Sequence, residues 1–140
     1  MLDVTAAIIE KDGRFLAAQR LASSHLGGLW EFPGGKIEPP ESPGQCLQRE
    51  LEEEFGIQVE IGTHLATSIY DYGTKVVRLM GFHVHHLGGD FVLHAHAAIR
   101  WLTAEELDSV QWAPADVALV SALRQWILKD LRGVLFAPHE

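Results

Sequence analysis

The sequence is short of several things, and each shortage closes off a class of protein. It has one cysteine, Cys46, in 140 residues, so no internal disulfide can form and a stapled secreted scaffold is excluded. A lone thiol fits a reducing cytoplasm. No apolar run approaches the roughly 18 residues that a membrane-spanning helix needs. The opening "MLDVTAAIIEKDGR" has no basic segment before its apolar stretch and soon turns polar, so it reads poorly as a secretory signal. Positive charge is scarce: 11 Lys and Arg stand against 19 Asp and Glu, for a net charge of −8. A nucleic-acid polymer is bound by clustered basic residues, and this chain has few to cluster. The expectation is a cytoplasmic protein with neither a membrane nor a nucleic-acid polymer as partner. Monomer and homodimer both stay open. A small phosphorylated ligand is still compatible with the acidity, provided divalent cations sit between the two sets of negative charge.

The remaining composition is ordinary, with 47% hydrophobic residues, and the length predicts one domain, residues 1–140, with its own core. "DVTAAIIE" reads as a buried strand, "KDGR" as a turn and "FLAAQR" as the returning strand. Leu21 to Leu29 is loop-like. "WEF" is a short strand stopped by "PGG". A helix over Pro43 to Phe55 has Ser42 as N-cap, Gln45 placed for a capping box and Gly56 as its left-handed stop. "HLATSIYDY" and "KVVRLMGFHVHH" predict two long strands joined around Gly73, and "IRWL" a shorter one. Thr103 with Glu106 predicts a capped short helix over "AEEL". A last helix over about Asp116 to Arg132 takes its apolar face from Val117, Val120, Leu123, Ile127 and Leu131. Strands and helices are mixed without regular alternation, which predicts an α+β chain with helices packed on a mixed sheet.

The segment "RELEEEFG" is the densest in charge. At about 100° per residue, Glu50, Glu53 and Glu54 fall on one helix face. Leu47, Leu51 and Phe55 form the neighbouring apolar stripe, and Glu52 points away with Gln48. Three carboxylates beside a buried edge repel one another, more so as water is withdrawn. A solvated face held by Arg49 is one resolution. A divalent cation held by carboxylate oxygens is the other.

The spacing around this helix resembles the Nudix box, G-x5-E-x7-R-E-U-x-E-E-x-G-U, with U a bulky apolar residue. Gly35, Glu41, Arg49, Glu50, Leu51, Glu53, Glu54, Gly56 and Ile57 match all nine fixed positions over residues 35–57. "GGLWEFPGGKIE" before the box, and "RWLTAEEL" and "WAPAD" after it, are similar to the MutT-like and CTP pyrophosphohydrolase branch. The resemblance implies an α/β/α sandwich with the box as loop, helix and loop. It implies Mg²⁺, with Mn²⁺ as alternative, held by Glu50, Glu53 and Glu54 and a backbone carbonyl at Gly35 or its neighbour Gly34. It implies that Arg49 orients the glutamates and Glu41 braces the loop. The implied reaction is hydrolysis of a nucleoside triphosphate to monophosphate and pyrophosphate, in the service of nucleotide-pool sanitation and DNA repair. Cation chemistry suits that reaction, which must neutralise phosphate oxygens and align a water. Lys36 and Arg20 are candidates to touch phosphate, each against the reading of an ordinary surface cation.

Relatives of this branch carry a further glutamate, in an "EH" pair six residues before the tryptophan of "RWL". Here the pair reads Ala95-His96, which opens the identity of the general base among Glu53, Glu54, His94 and His96. His83, His85, His94 and His96 also allow a zinc site, against the plainer reading of polar residues on exposed strands and loops. Cys46 reads as a half-buried inert thiol. The resemblance places the base near Phe32, or a nearby aromatic such as Trp30, and Asp116. Trp30, Phe32 and Trp112 read equally as core aromatics, and Asp116 equally as a helix N-cap. An ionised aspartate only accepts hydrogen bonds, which suits an exocyclic amine such as that of cytosine. A protonated one suits the O6 of 8-oxoguanine. The alternatives to this enzyme are a nucleotide-binding Nudix module with little turnover, motivated by Ala95, and a hydrolase of another nucleoside diphosphate derivative.

Overall fold

The structure is a computed structural model that describes residues 1–136, with side chains described through Asp130. β1 (Leu2–Lys11) and β2 (Arg14–Arg20) form a hairpin. Its turn carries Asp12 at φ 52° and Gly13 at φ 75°, two successive left-handed residues that match the twist of the strands. β3 (Trp30–Glu31) pairs with β2. After α1 (Pro43–Phe55), β4 (Gln58–Asp71) and β5 (Val76–Gly88) form a long antiparallel hairpin. β1 lies parallel to β5, from Leu2 opposite Val77 to Ile9 opposite Val84. β6 (His96–Leu102) returns to β2. A 3-10 helix follows (Ala104–Ser109), then α2 (Pro114–Phe136). The sheet order is β3-β2-β1-β5-β4, with β6 also on β2.

β1 explains the layering. Its residues alternate between two cores, so both faces are apolar and the strand reads as one continuous hydrophobic run. Ala6 and Ile8 pack with Phe15, Ala17, Leu119 and Leu123 under α2. Ala7 and Ile9 pack with Leu16, Ala18, Leu47, Leu51 and Phe55 under α1. The result is the expected mixed sheet between helices.

α1 starts and stops where its punctuation predicts. Ser42 Oγ accepts from Gln45 N at 3.2 Å, Gln45 Oε1 accepts from Ser42 N at 2.8 Å, and Gly56 closes the helix at φ 72°. Three expectations need correction. β4 begins at Gln58 rather than near His64, because bulges between Ile61 and Ala66 carry the strand past Gly62. The segment after Thr103 is a 3-10 rather than an α-helix. On α2, Val117 is exposed; the buried face is Leu119, Val120 and Leu123, with Ile127 packed against it. Leu131 and Arg132 lie outside the described side chains. No helix among the described residues is long and apolar enough to cross a membrane.

Candidate active site

The loop between β3 and α1 is stitched to β1. Thr5 N donates to Gly35 O at 2.8 Å, Ala7 N to Pro33 O at 2.7 Å and Ile37 N to Asp3 O at 3.0 Å. This draws the loop so close that side chains do not fit. A Cβ on Gly34 would collide with the Thr5 carbonyl, and one on Gly35 with the Glu50 carboxylate. The Gly35 carbonyl is turned toward β1, where Thr5 N, Thr5 Oγ1 at 3.1 Å and Cys46 Sγ at 3.4 Å surround it. The Gly34 carbonyl accepts no hydrogen bond among the described residues. Cys46 is fully buried, deeper than its half-buried expectation. Burial pushes its thiol upward, away from the reactive thiolate.

Arg49 ties the helix to this loop. Its Nε and Nη2 grip Glu41 at 3.1 and 2.7 Å, its Nη1 reaches Glu50 Oε1 at 2.9 Å and Glu53 Oε2 at 3.4 Å, and its Nη2 also donates to Lys36 O at 3.2 Å. The Arg49 bonds hold the Glu41 carboxyl down to about 2 and raise the guanidinium further above its ordinary range. Glu41 Oε1 also accepts from Glu38 N at 2.8 Å, which braces the loop.

The three helix glutamates lie in different surroundings. The Glu53 side chain is 60% exposed, and that of Glu50 is 17% exposed beside Gly35. Glu54 is buried, and its Oε2 has no hydrogen-bond partner. Burial, then Glu31 and Glu50, push its carboxyl up to about 9. His96 Nδ1 lies 3.7 Å from its Oε2. That is too long for a hydrogen bond, and Nδ1 is itself unpartnered. His96 is buried flat against Phe55, with ring centroids 5.3 Å apart and an interplanar angle of 4°. Its Nε2 pairs with Glu31 Oε2 at 2.9 Å, and Glu31 Oε1 accepts from Arg20 Nη1 at 2.8 Å. As placed, no three His, Cys, Asp or Glu side chains among the described residues surround one point. The donor set nevertheless fits a hard cation: carboxylate oxygens, one of them buried without a partner, beside a glycine that leaves room for them.

Against this face opens a cavity of about 420 Å³, lined by Arg20, Glu31, Glu50, Tyr72 and Asp116 among others. That is within the range of small-ligand sites. Asp116 sits in the first turn of α2, but its carboxylate caps nothing there; Oδ2 instead accepts from Phe32 N at 2.9 Å. The N-cap reading is thereby replaced. Burial pushes the Asp116 carboxyl well above the usual carboxylate range, with Glu31 adding to the push. The Phe32 ring is nearly sealed in the core against Trp112, 4.6 Å between centroids, and Phe32 also lines the cavity. Trp30 packs on the same core, and Trp112 Nε1 donates to Leu107 O at 2.7 Å. Lys36 is exposed at the rim. Arg20 lines the cavity already paired with Glu31.

The zinc reading does not hold among the described residues. His83 faces Trp126 of α2, 4.4 Å between centroids, while His96 lies under α1 in the opposite layer. His94 is exposed on the loop after β5. Sequence reasoning missed Glu31 and Tyr72. Glu31 stands between two residues it had singled out, and only the pairing of β2 with β3 and β6 shows that the three meet.

A helix-flanked mixed sheet, a glycine loop stitched to its central strand and a glutamate helix over a cavity define a phosphoanhydride hydrolase of the Nudix type. The NUDIX domain family model matches residues 4–122, and the chain belongs to that family. It is similar to the CTP pyrophosphohydrolase of Escherichia coli, 44% identical over 122 residues, which cover 87% of this chain and 90% of that one. It is also similar to the 8-oxo-dGTP diphosphatase of Haemophilus influenzae, 33% identical over 88% of this chain and 91% of that one. Among solved structures, the Escherichia coli ORF135 protein superposes with a TM-score of 0.78 at 40% identity, covering 99% of this chain and 95% of that one. The MutT protein of Methanosarcina mazei superposes at 0.80 with 24% identity, covering 92% and 94%, and shares the fold.

Proposed function

We propose that this protein hydrolyses a nucleoside triphosphate to the monophosphate and pyrophosphate, with a cytosine nucleotide such as CTP or 5-methyl-dCTP as its preferred class. The observation that carries the reading is the buried Glu54 carboxylate, whose Oε2 has no partner among the described residues, beside Glu50 and the glycine loop. Glu50, Glu53 and Glu54 would hold a divalent cation, Mg²⁺ with Mn²⁺ as substitute. The backbone ligand is reassigned from Gly35 to Gly34, whose carbonyl is free of donors. The bound cation supplies neutralisation of phosphate oxygens and polarisation of the attacking water.

The protein's own groups do the rest. Arg49 holds Glu50 and Glu53 in register while Glu41 anchors the guanidinium. Glu53, open to solvent, takes the proton from the attacking water; the base role falls to it because His96 Nε2 is already engaged by Glu31. Lys36 and Arg20 contact phosphate from the rim. The sealed Phe32 ring forms the floor of the base site. Asp116 reads the base: an exocyclic amine donates to the carboxyl oxygen that Phe32 N leaves free, and that added donor favours the ionised form. The CTP pyrophosphohydrolase relative supports this choice.

A second reading, 8-oxo-dGTP, is favoured by the upward push on Asp116, since a neutral carboxyl can donate to O6. It would place the enzyme in nucleotide-pool sanitation and DNA repair. Pyrophosphate release from CTP, dCTP, 5-methyl-dCTP, dGTP and 8-oxo-dGTP with Mg²⁺ decides between the two. Release of orthophosphate instead, or of nothing, overturns both.

A further inference from the structure

Tyr72 stands where β4 gives way to the turn before β5. Its backbone N–H donates to Lys75 O at 2.9 Å, and Gly73 at φ 87° reverses the chain. Its ring is half-buried, 4.6 Å from Tyr70 and edge-on to His25 at 5.8 Å. It therefore joins the loop after β2 to the hairpin, across the cavity wall. Its phenolic oxygen accepts the Ala115 N–H at 3.1 Å.

A phenol also has one proton to donate. The only hydrogen bond of the Tyr72 hydroxyl among the described residues is the one it accepts, so that proton has no protein partner. One residue further along α2, Asp116 presents the opposite demand. Its Oδ2 is filled by Phe32 N, while Oδ1 has no partner among the described residues and the side chain lines the cavity. The wall thus offers an unspent O–H donor, tied to α2 through the Ala115 N–H, and a carboxyl oxygen of the next residue of that helix, Asp116.

A nucleobase edge that answers both has an amine next to a bare ring nitrogen. Cytosine, with its N4 amine beside N3, has that edge. Uracil does not: the ring nitrogen beside its O4 carries a hydrogen that faces the Tyr72 O–H. Guanine has the same N–H beside O6 and offers the pattern only at N2 and N3. Adenine, with N6 beside a bare N1, shares it, so the choice of cytosine comes from the reading above and not from this edge alone. Resting on the cytosine reading above, we propose that Tyr72 is a specificity-determining residue whose hydroxyl donates to the ring nitrogen beside the amine held by Asp116.

The test is kcat/KM for CTP, UTP and 3-deaza-CTP, which has a C–H in place of N3, with wild type and Tyr72→Phe. The phenylalanine keeps the ring and its packing, and a melting curve checks the fold. Wild type should cleave CTP about 3- to 10-fold better than 3-deaza-CTP, the worth of one neutral hydrogen bond. Tyr72→Phe should lose that factor on CTP, mainly through KM, and lose nothing further on 3-deaza-CTP or UTP. Equal losses on CTP and 3-deaza-CTP would mean that the hydroxyl only supports the Ala115 N–H, and the proposal fails. If Tyr72→Phe does not fold, equal cleavage of CTP and 3-deaza-CTP by wild type overturns it alone. A wild type that ignores CTP and cleaves 8-oxo-dGTP defeats the cytosine reading itself, and the Tyr72 assignment with it; normal CTP turnover with an unchanged ratio defeats only the latter.

Discussion

Glu54 and Asp116 are both buried carboxyls pushed upward by burial, yet they are built for different purposes. Asp116 has a backbone donor from Phe32, while an oxygen of Glu54 has none. A buried acid with a donor is a settled structural element with one oxygen to spare. A buried acid without one is unstable in its charged form until something positive arrives. On the function proposed above, one carboxyl would recognise a neutral edge and the other would receive a cation. Substitutions should separate the two.

The largest expected effect is at the cation side. Glu53→Gln should lower kcat about 100-fold or more with KM little changed, as for removal of a general base. Glu54→Gln should act mainly on the apparent affinity for Mg²⁺, read by titrating activity and by Mn²⁺ binding. Glu53→Gln, which also removes one of the three ligands, should weaken cation binding too, but a kcat left near wild type at saturating Mg²⁺ would break the division of roles. Next in size, Asp116→Asn should leave maximal turnover on its best substrate within a few-fold while shifting the ratio of CTP to 8-oxo-dGTP by about 10-fold. A uniform loss on both nucleotides would instead make Asp116 structural.

Smaller, but independent of activity, is the pH dependence of stability in the cation-free protein. Folded Glu54 titrates at about 9, against an ordinary 4.5, so between these values the folded state holds more protons than the unfolded one. Its contribution to stability is therefore fully present below the ordinary carboxylate range and is lost as pH rises toward 9. Melting temperature should fall across that window, Glu54→Gln should flatten the fall, and Mg²⁺ should restore more stability at pH 8 than at pH 6. Glu41 has the opposite sign. Held down to about 2, it contributes above the ordinary carboxylate range and is lost as pH falls. The smallest effect is that of Arg49→Lys, which keeps the charge but loses the two-pronged grip on Glu41. A several-fold rise in the Mg²⁺ requirement is expected, and no change would remove Arg49 from the orientation of the glutamates.

Much of this was legible in the sequence because it is local. α1 announces both its ends with Ser42, Gln45 and Gly56, and its three glutamates share a face by helical period alone. β1 was legible because a strand buried on both faces has no polar residue to interrupt it. What was not legible depends on chain returns. Glu31 and His96 are far apart in sequence, and their meeting requires β3 and β6 to lie on either side of β2. The start of β4 is not legible because a bulge between Ile61 and Ala66 carries the strand through Gly62 and Thr63, which lack a strand's alternating pattern. Val117 was placed inward because apolar character alone does not set helix phase; Asp116, drawn inward to Phe32 N, does.

The loop after β5 hooks onto the end of α1, where Val92 N donates to Phe55 O and His94 N to Glu54 O, each at 3.0 Å. Those bonds use only main-chain atoms, so they are indifferent to which side chains the loop carries. Residue 95 is therefore an interchangeable fitting on a fixed mount. An acid can be installed there by substitution without renegotiating the architecture that holds it.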